Sequence, residues 1–175
     1  SPSSSSVSEI GQFYRSHFDV AFHDELNIGS CTFYPSIRID MSKVYNTDST
    51  YSSSATHLSN SLGISYTYNS FIELKANVGS AYREPTFDDL FWSSSAFSVG
   101  NPYLSSEKAE SYDVAISLDL PFSLSFHTLY FYQEVEDLIQ WVPGASGKWS
   151  PHNIGNVEKW GGEGSLAYEG TIKGE

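Results

Sequence analysis

"SFIELKANVGSAYREPTFDDLFWSSSAFSVGNPYL", residues 70–104, decides how the chain is read. Its first half alternates. Ile72, Leu74, Ala76, Val78 and Tyr82 fall on one face; Glu73, Lys75, Asn77, Gly79 and Arg83 fall on the other. A period of two predicts a strand with one apolar and one polar face. The second half is polar and aromatic with no period, which predicts a large loop over residues 84–108.

The same two-faced pattern recurs on both sides of this stretch. It is read over residues 12–26, 32–45, 61–68, 110–120, 123–141 and 153–168. Tyr112, Val114, Ile116, Leu118 and Leu120, for example, oppose Asp113, Ala115, Ser117 and Asp119. Three features disturb the pattern. Pro35 removes a backbone donor, so its strand is expected to be irregular near the start. Leu129 and Phe131 interrupt a polar face, and Gly161, Gly162 and Gly164 thin the last strand. The Ser-rich residues 1–9 are expected to form a loop or frayed end, and residues beyond the turn at 169–170 the stub of an eighth strand.

The connections alternate in size. They are short at 27–30, 68–71, 120–122 and 169–170, and long at 46–60, 84–108 and 142–152. In an up-and-down sheet every second connection lies at the same end. One end therefore carries tight turns and the other carries large loops, which is the asymmetry of transmembrane barrels. The expected fold is all-β: an up-and-down antiparallel meander of seven to eight long strands, forming a segment of a transmembrane β-barrel.

Composition agrees. Aromatics make up 15% of the 175 residues and charged residues only 17%, a mix suited to surfaces with one apolar and one wet side. The formal net charge of −12 argues against nucleic-acid binding, which requires a basic footprint. No run of about 20 apolar residues marks a spanning helix, a fact that leaves strand-crossing barrels open. The lone Cys31 excludes an intrachain disulfide and reads as a strand residue. The spacing supports no Ser-His-Asp set, phosphate loop or zinc cluster, and residues 46–49 are too poor in carboxylates for a calcium loop. No enzyme activity, cofactor or metal site is expected.

"AYREPTFDDLFW" (81–92) followed by "GNPYLSSEKAESYD" (100–113) resembles the paired signature in the barrels of TonB-dependent outer-membrane receptors. Tyr82, Arg83, Pro85, Leu90, Asn101, Pro102, Leu104 and Glu107 carry the match. "YFYQEVEDLIQW" (130–141) and "NIGNVEKWGGEGSLAYEG" (153–170) resemble the next two strands of that family, whereas residues 1–69 fit by strand pattern alone. The resemblance implies residence in a bacterial outer membrane, in contact with its lipid, and TonB-energised uptake of a scarce ligand. Complete receptors are several times longer and carry an N-terminal plug that engages TonB. Residues 1–175 are thus expected to be a partial barrel domain, about a third of a roughly 22-stranded barrel, reaching TonB only through the absent plug region and not transport-competent alone.

Ligands of such receptors contact the extracellular loops and the plug. The candidate contacts are therefore Tyr45, Tyr51, Phe91, Trp92, Phe97 and Trp149. The plainer reading of each is an aromatic packed within its own loop or in an aromatic girdle. Haem receptors of the family carry a His between the two signature boxes. Residues 86–100 contain none, so cobalamin or a ferric siderophore is favoured over haem unless His57 or His152 substitutes. His17, His23 and His127 fall on polar strand faces and read as structural. Arg83, Pro85, Asn101, Pro102 and Glu107 read as builders of the loop base, with the Arg and Glu paired or bonding backbone. The competing class is a secreted or surface β-sandwich binding module for carbohydrate or another ligand, in which the apolar faces pack on a second sheet. A barrel segment alone leaves open edges and an exposed lipid face, so self-association, collapse or closure into a small barrel is expected of the isolated chain.

Overall fold

A computed structural model describes residues 12–47, 50–144 and 147–170. The expectations for residues 1–9 and for a strand stub at 171–175 lie outside the described residues. The chain runs β1 (Phe13–His23), β2 (Leu26–Ile28), β3 (Cys31–Asn46), β4 (Ser52–Asn69), β5 (Ile72–Arg83), α1 (Phe87–Phe91), β6 (Glu107–Leu120), β7 (Leu124–Glu136), β8 (Ile139–Pro143), β9 (Trp149–Asn153) and β10 (Val157–Tyr168). Seven long strands form one sheet in the order β1-β3-β4-β5-β6-β7-β10, with β2 also on β3 and β8–β9 a separate hairpin. Every pairing between these strands is antiparallel.

Register decides the two faces. Phe33, Ile64, Ala76, Val114, Tyr130 and Gly162 form one continuous cross-strand row. The next row is Tyr34, Gly63, Asn77, Asp113, Phe131 and Gly161. A slip of one residue anywhere would exchange these faces. Phe131, which interrupts the polar face, is accommodated by Gly161: a Cβ there would lie 2.8 Å from the Phe131 ring.

The apolar face is bare. Phe18, Leu58, Val114 and Leu166 are 54–68% exposed, and no second sheet covers them among the described residues, as a sandwich would require. A contiguous apolar surface of this size is tolerated where lipid covers it. On β6 it runs from Tyr112 to Leu120, the roughly 9–11 residues that a membrane-crossing strand needs. Just above this band three carboxylates, Glu110, Glu134 and Glu158, sit opposite one another on β6, β7 and β10. Burial is inverted relative to a water-soluble domain. Buried polar residues include Asp40, Ser42, Asp89 and Glu107, while the buried aliphatic ones among the described residues are Val44, Leu90 and Ile139.

Several boundaries depart from expectation. The first long loop, 46–60, is mostly strand: β3 and β4 rise as a hairpin and are joined by residues 47–51. The predicted strand at 12–26 breaks at residues 24–25, opposite Tyr34 and Pro35. Pro35 accepts a bond from the Asp24 N–H through its carbonyl but has no N–H to return to that side. The long strand expected over 123–141 ends at Glu136, because Asp137 adopts φ 55°. The adjoining segment, expected as a loop over 142–152, contains most of the β8–β9 hairpin.

Among the described residues the sheet does not close into a small barrel. β1 and β10 both run from the loop end to the turn end of the sheet, so joining them would make a parallel pair. A meander of tight hairpins pairs antiparallel throughout, and an odd number of strands cannot be closed that way.

Candidate functional site

The two signature boxes lie at the ends of the loop spanning residues 84–106, between β5 and β6. Thr86 and Asp89 form a reciprocal capping box on the single turn α1. The Asp89 N–H donates to Thr86 Oγ1 at 3.1 Å, and the Thr86 N–H donates to Asp89 Oδ2 at 3.0 Å, satisfying donors that a helix start leaves free. The other carboxylate oxygen, Oδ1, accepts from Trp141 Nε1 at 3.0 Å, and the Arg83 guanidinium lies 3.6 Å from Oδ2. Burial alone would raise the Asp89 pKa, but the Thr86 and Trp141 bonds and the Arg83 charge hold it below the usual carboxylate range.

That depression has a defined sign. A carboxyl whose folded pKa is lowered stabilises the fold above its unfolded value, about 3.9, and that stabilisation is lost as pH falls toward the folded pKa. Acidification below about pH 4 is therefore expected to loosen the loop base. Trp141 emission, read in a variant with the other three tryptophans replaced by Phe, should shift red there, and Asp89→Asn should remove the transition.

Glu107 closes the loop. Its carboxylate receives the Arg83 guanidinium fork and, through Oε1, the Ile139 N–H at 2.8 Å. The expected structural roles of Arg83 and Glu107 are thus observed. Gly100 is a close-approach glycine: a Cβ there would lie 2.5 Å from the Trp92 nitrogen and 2.8 Å from the Leu90 oxygen. Both are backbone atoms that cannot swing away. Gly100→Ala is expected to destabilise the loop by about 1–3 kcal/mol, seen as faster proteolytic nicking between residues 92 and 100.

The loop folds over the polar face of the sheet. Glu84 meets Arg15 at 3.5 Å and His57 at 3.6 Å and accepts from the Ser42 hydroxyl. His57 stacks on Tyr82 with centroids 4.0 Å apart and lies 3.2 Å from Ser106 Oγ, so it touches both ends of the loop. Between wall and loop lies a cavity of about 530 Å³, lined among others by Arg15, Tyr51, His57, Glu84, Tyr103 and Lys108. Further along the polar face, His17, Asp19 and Asp40 come within 4.8 Å of one another. Arg38 already supplies the positive charge, pairing with Asp40 at 2.8 Å and Asp19 at 3.5 Å.

The six candidate contacts are dispersed. Tyr51 lines the cavity and donates to the Pro102 carbonyl at 3.3 Å. Phe91 stacks on Phe13 at 3.6 Å and meets Tyr51 edge-on at 5.0 Å. Trp92 lies edge-on to Trp141 at 6.3 Å. Phe97 and Trp149 are solvent-facing at the loop surface and are joined through the Trp149 N–H and the Phe97 carbonyl at 2.8 Å. Tyr45 is not a loop residue. It belongs to β3, on the lipid-side row, stacked on Tyr14 at 5.7 Å. Cavity residues that the sequence did not single out are Arg15, Glu84, Tyr103 and Lys108. Tyr103 sits inside "GNPYL", and its 91% exposure is the only mark that separates it from the structural residues around it.

A family model described as "TonB dependent receptor-like, beta-barrel" matches residues 3–172. The vitamin B12 transporter BtuB of Photobacterium profundum is 30% identical over 161 residues, 87% of this chain and 24% of that protein. BtuB of Vibrio vulnificus is 38% identical over 98 residues, 55% of this chain and 15% of that protein. The chain thus spans about a quarter or less of these relatives' length. Among solved structures, the FrpB iron transporter of Neisseria meningitidis matches with a TM-score of 0.72 at 16% identity, over 93% of this chain and 25% of that one. The Serratia marcescens hemophore receptor HasR matches with a TM-score of 0.72 at 18% identity, over 91% of this chain and 32% of that one.

Proposed function

Because this chain belongs to the TonB-dependent receptor β-barrel family and so to the outer membrane, we propose that it forms the loop-bearing wall of a receptor that takes up a corrinoid. Identity to two vitamin B12 transporters carries the choice of ligand. A ferric siderophore is the second reading, favoured by nothing in the sequence above the corrinoid. Haem ranks last. The loop over residues 84–106 has no His. His57 is engaged with Glu84, Ser106 and Tyr82, and His152 is exposed on β9.

The polar face lines the barrel interior, and the loop folds onto that face rather than away from it. A ligand entering from outside meets Phe97 and Trp149 first and the cavity beside Tyr51 and Tyr103 next. The work of this segment is recognition and passage rather than bond chemistry. Transport needs the rest of a receptor, including the part that TonB engages, so the segment alone is not transport-competent.

The test is equilibrium binding to the receptor containing this segment in detergent, with cyanocobalamin, a ferric siderophore and haemin compared. Saturable cyanocobalamin binding, weakened about tenfold or more by Trp149→Ala or Tyr51→Ala (about 1.4 kcal/mol), is expected. Tighter binding of haemin or of the siderophore would overturn the ligand assignment.

A further inference from the structure

We infer that the loop spanning residues 84–106 and the described residues of the next loop, 137–144 and 147–156, are one mechanical body, with Asn153 and Trp141 as the positioning residues through which the second loop holds the first. The inference rests on contacts between the loops, not on the identity of the ligand. Several separate junctions join them. At the tip, the Val99 N–H donates to the Trp149 carbonyl at 2.9 Å, Trp149 returns a bond to Phe97, and Ser98 pairs with Trp149 as a parallel bridge. At mid-height, Asn101 Nδ2 donates to the Pro151 carbonyl at 3.1 Å.

Near the sheet, Asn153 makes three bonds. Its Nδ2 donates to the Ser105 carbonyl at 3.1 Å and to the Asp137 carbonyl at 2.7 Å, and its Oδ1 accepts from the Ser105 N–H at 3.0 Å. One amide therefore ties the end of the first loop to both ends of the second. Beside it, Trp141 reaches Asp89, and Glu107 at the root of β6 accepts the Ile139 N–H. Pro151 is nearly fully buried by this packing.

Each junction is worth little alone, because it exchanges hydrogen bonds to water for bonds between the loops. Together they make separation of the two loops costlier than the loss of any one junction. A force applied to either loop is therefore felt by both. A ligand that orders Phe97 also orders Trp149 and the β8–β9 hairpin, and the roof of the cavity opens or closes as a unit.

Amide hydrogen exchange on the intact receptor in detergent tests this. Asn153→Ala, a change confined to the second loop, is expected to speed exchange at least tenfold at Val99, Gly100 and Asn101 in the first loop as well as at Ile154 in its own. Amides of β5 and β6 such as Ala76 and Val114 should be unchanged. Asn101→Ala tests the reverse direction and should speed exchange at Trp149 and Ile154. Increases confined to the substituted loop, in either variant, would overturn the inference; increases that reach β5 and β6 would also contradict it, as they would mean that the wall and not a separate body had moved.

Discussion

Val114→Arg is expected to cost about 2 kcal/mol in a bilayer, between the roughly 2–4 kcal/mol of a cation at mid-depth on the lipid side of a barrel and the roughly 0–1 kcal/mol near its interfaces. Val114 lies in the row Ile64, Ala76, Val114, Tyr130, second of the five lipid-side residues on the apolar stretch of β6, and is 54% exposed. In lipid, an Arg there has neither water nor a partner within its row. Ser117→Arg places the same charge on the same strand but on the other face, opposite Glu73. It gives up one hydrogen bond to His127 and gains a carboxylate neighbour, so its cost should stay within about 1 kcal/mol. Urea unfolding of the receptor in lipid vesicles measures both. Equal costs would mean that the even-numbered face of β6 does not meet lipid.

Glu107→Ala carries the second large effect. Glu107 is 8% exposed and serves two donors. Removing it leaves the Ile139 N–H without an acceptor inside the loop base, about 1–3 kcal/mol by itself. The Arg83 fork also loses its partner, although Arg83 is 45% exposed and water replaces part of that interaction. A total near about 3 kcal/mol is expected, local to the loop base. Glu107→Gln retains an oxygen for Ile139 and should lose about half as much. Exchange rates of the Ile139 and Trp141 amides separate these outcomes from global unfolding, because the β5–β6 ladder amides should stay protected in both.

These two residues also mark what the sequence reveals and what it hides. Val114 is legible because lipid on one side and water on the other force strict alternation. The same pressure makes β5, β6 and the turn end readable. It vanishes above the membrane, where both faces of a strand meet water. The upper half of β4, from Ser52 to Asn60, carries Ser and Thr on both faces, so nothing in its composition separates it from a loop, although the ladder continues. α1 escapes a reading by periodicity because a five-residue helix has no period to show. Its one signal is Thr86 and Asp89 at capping-box spacing.

At the site, the loop-base roles of Arg83 and Glu107 can be read from their positions at the strand ends. Placing Tyr45 requires the register of β1 on β3, which puts it against Tyr14 on the lipid side. The contacts that tie Asn153 to Ser105 span 48 residues, and no local pattern announces a pairing of that range.

The central claim is that the apolar face of this sheet meets lipid and the polar face lines an interior. A cysteine scan of β5, in a background with Cys31 replaced by Ser, tests it most directly. Single cysteines at positions 72–79 would be labelled with a fluorophore in receptor-containing vesicles, then quenched in turn by a lipid-borne nitroxide and by a water-soluble one. Quenching from lipid is predicted at 72, 74, 76 and 78, and from water at 73, 75, 77 and 79. The opposite phase, or access from water at every position, would contradict it.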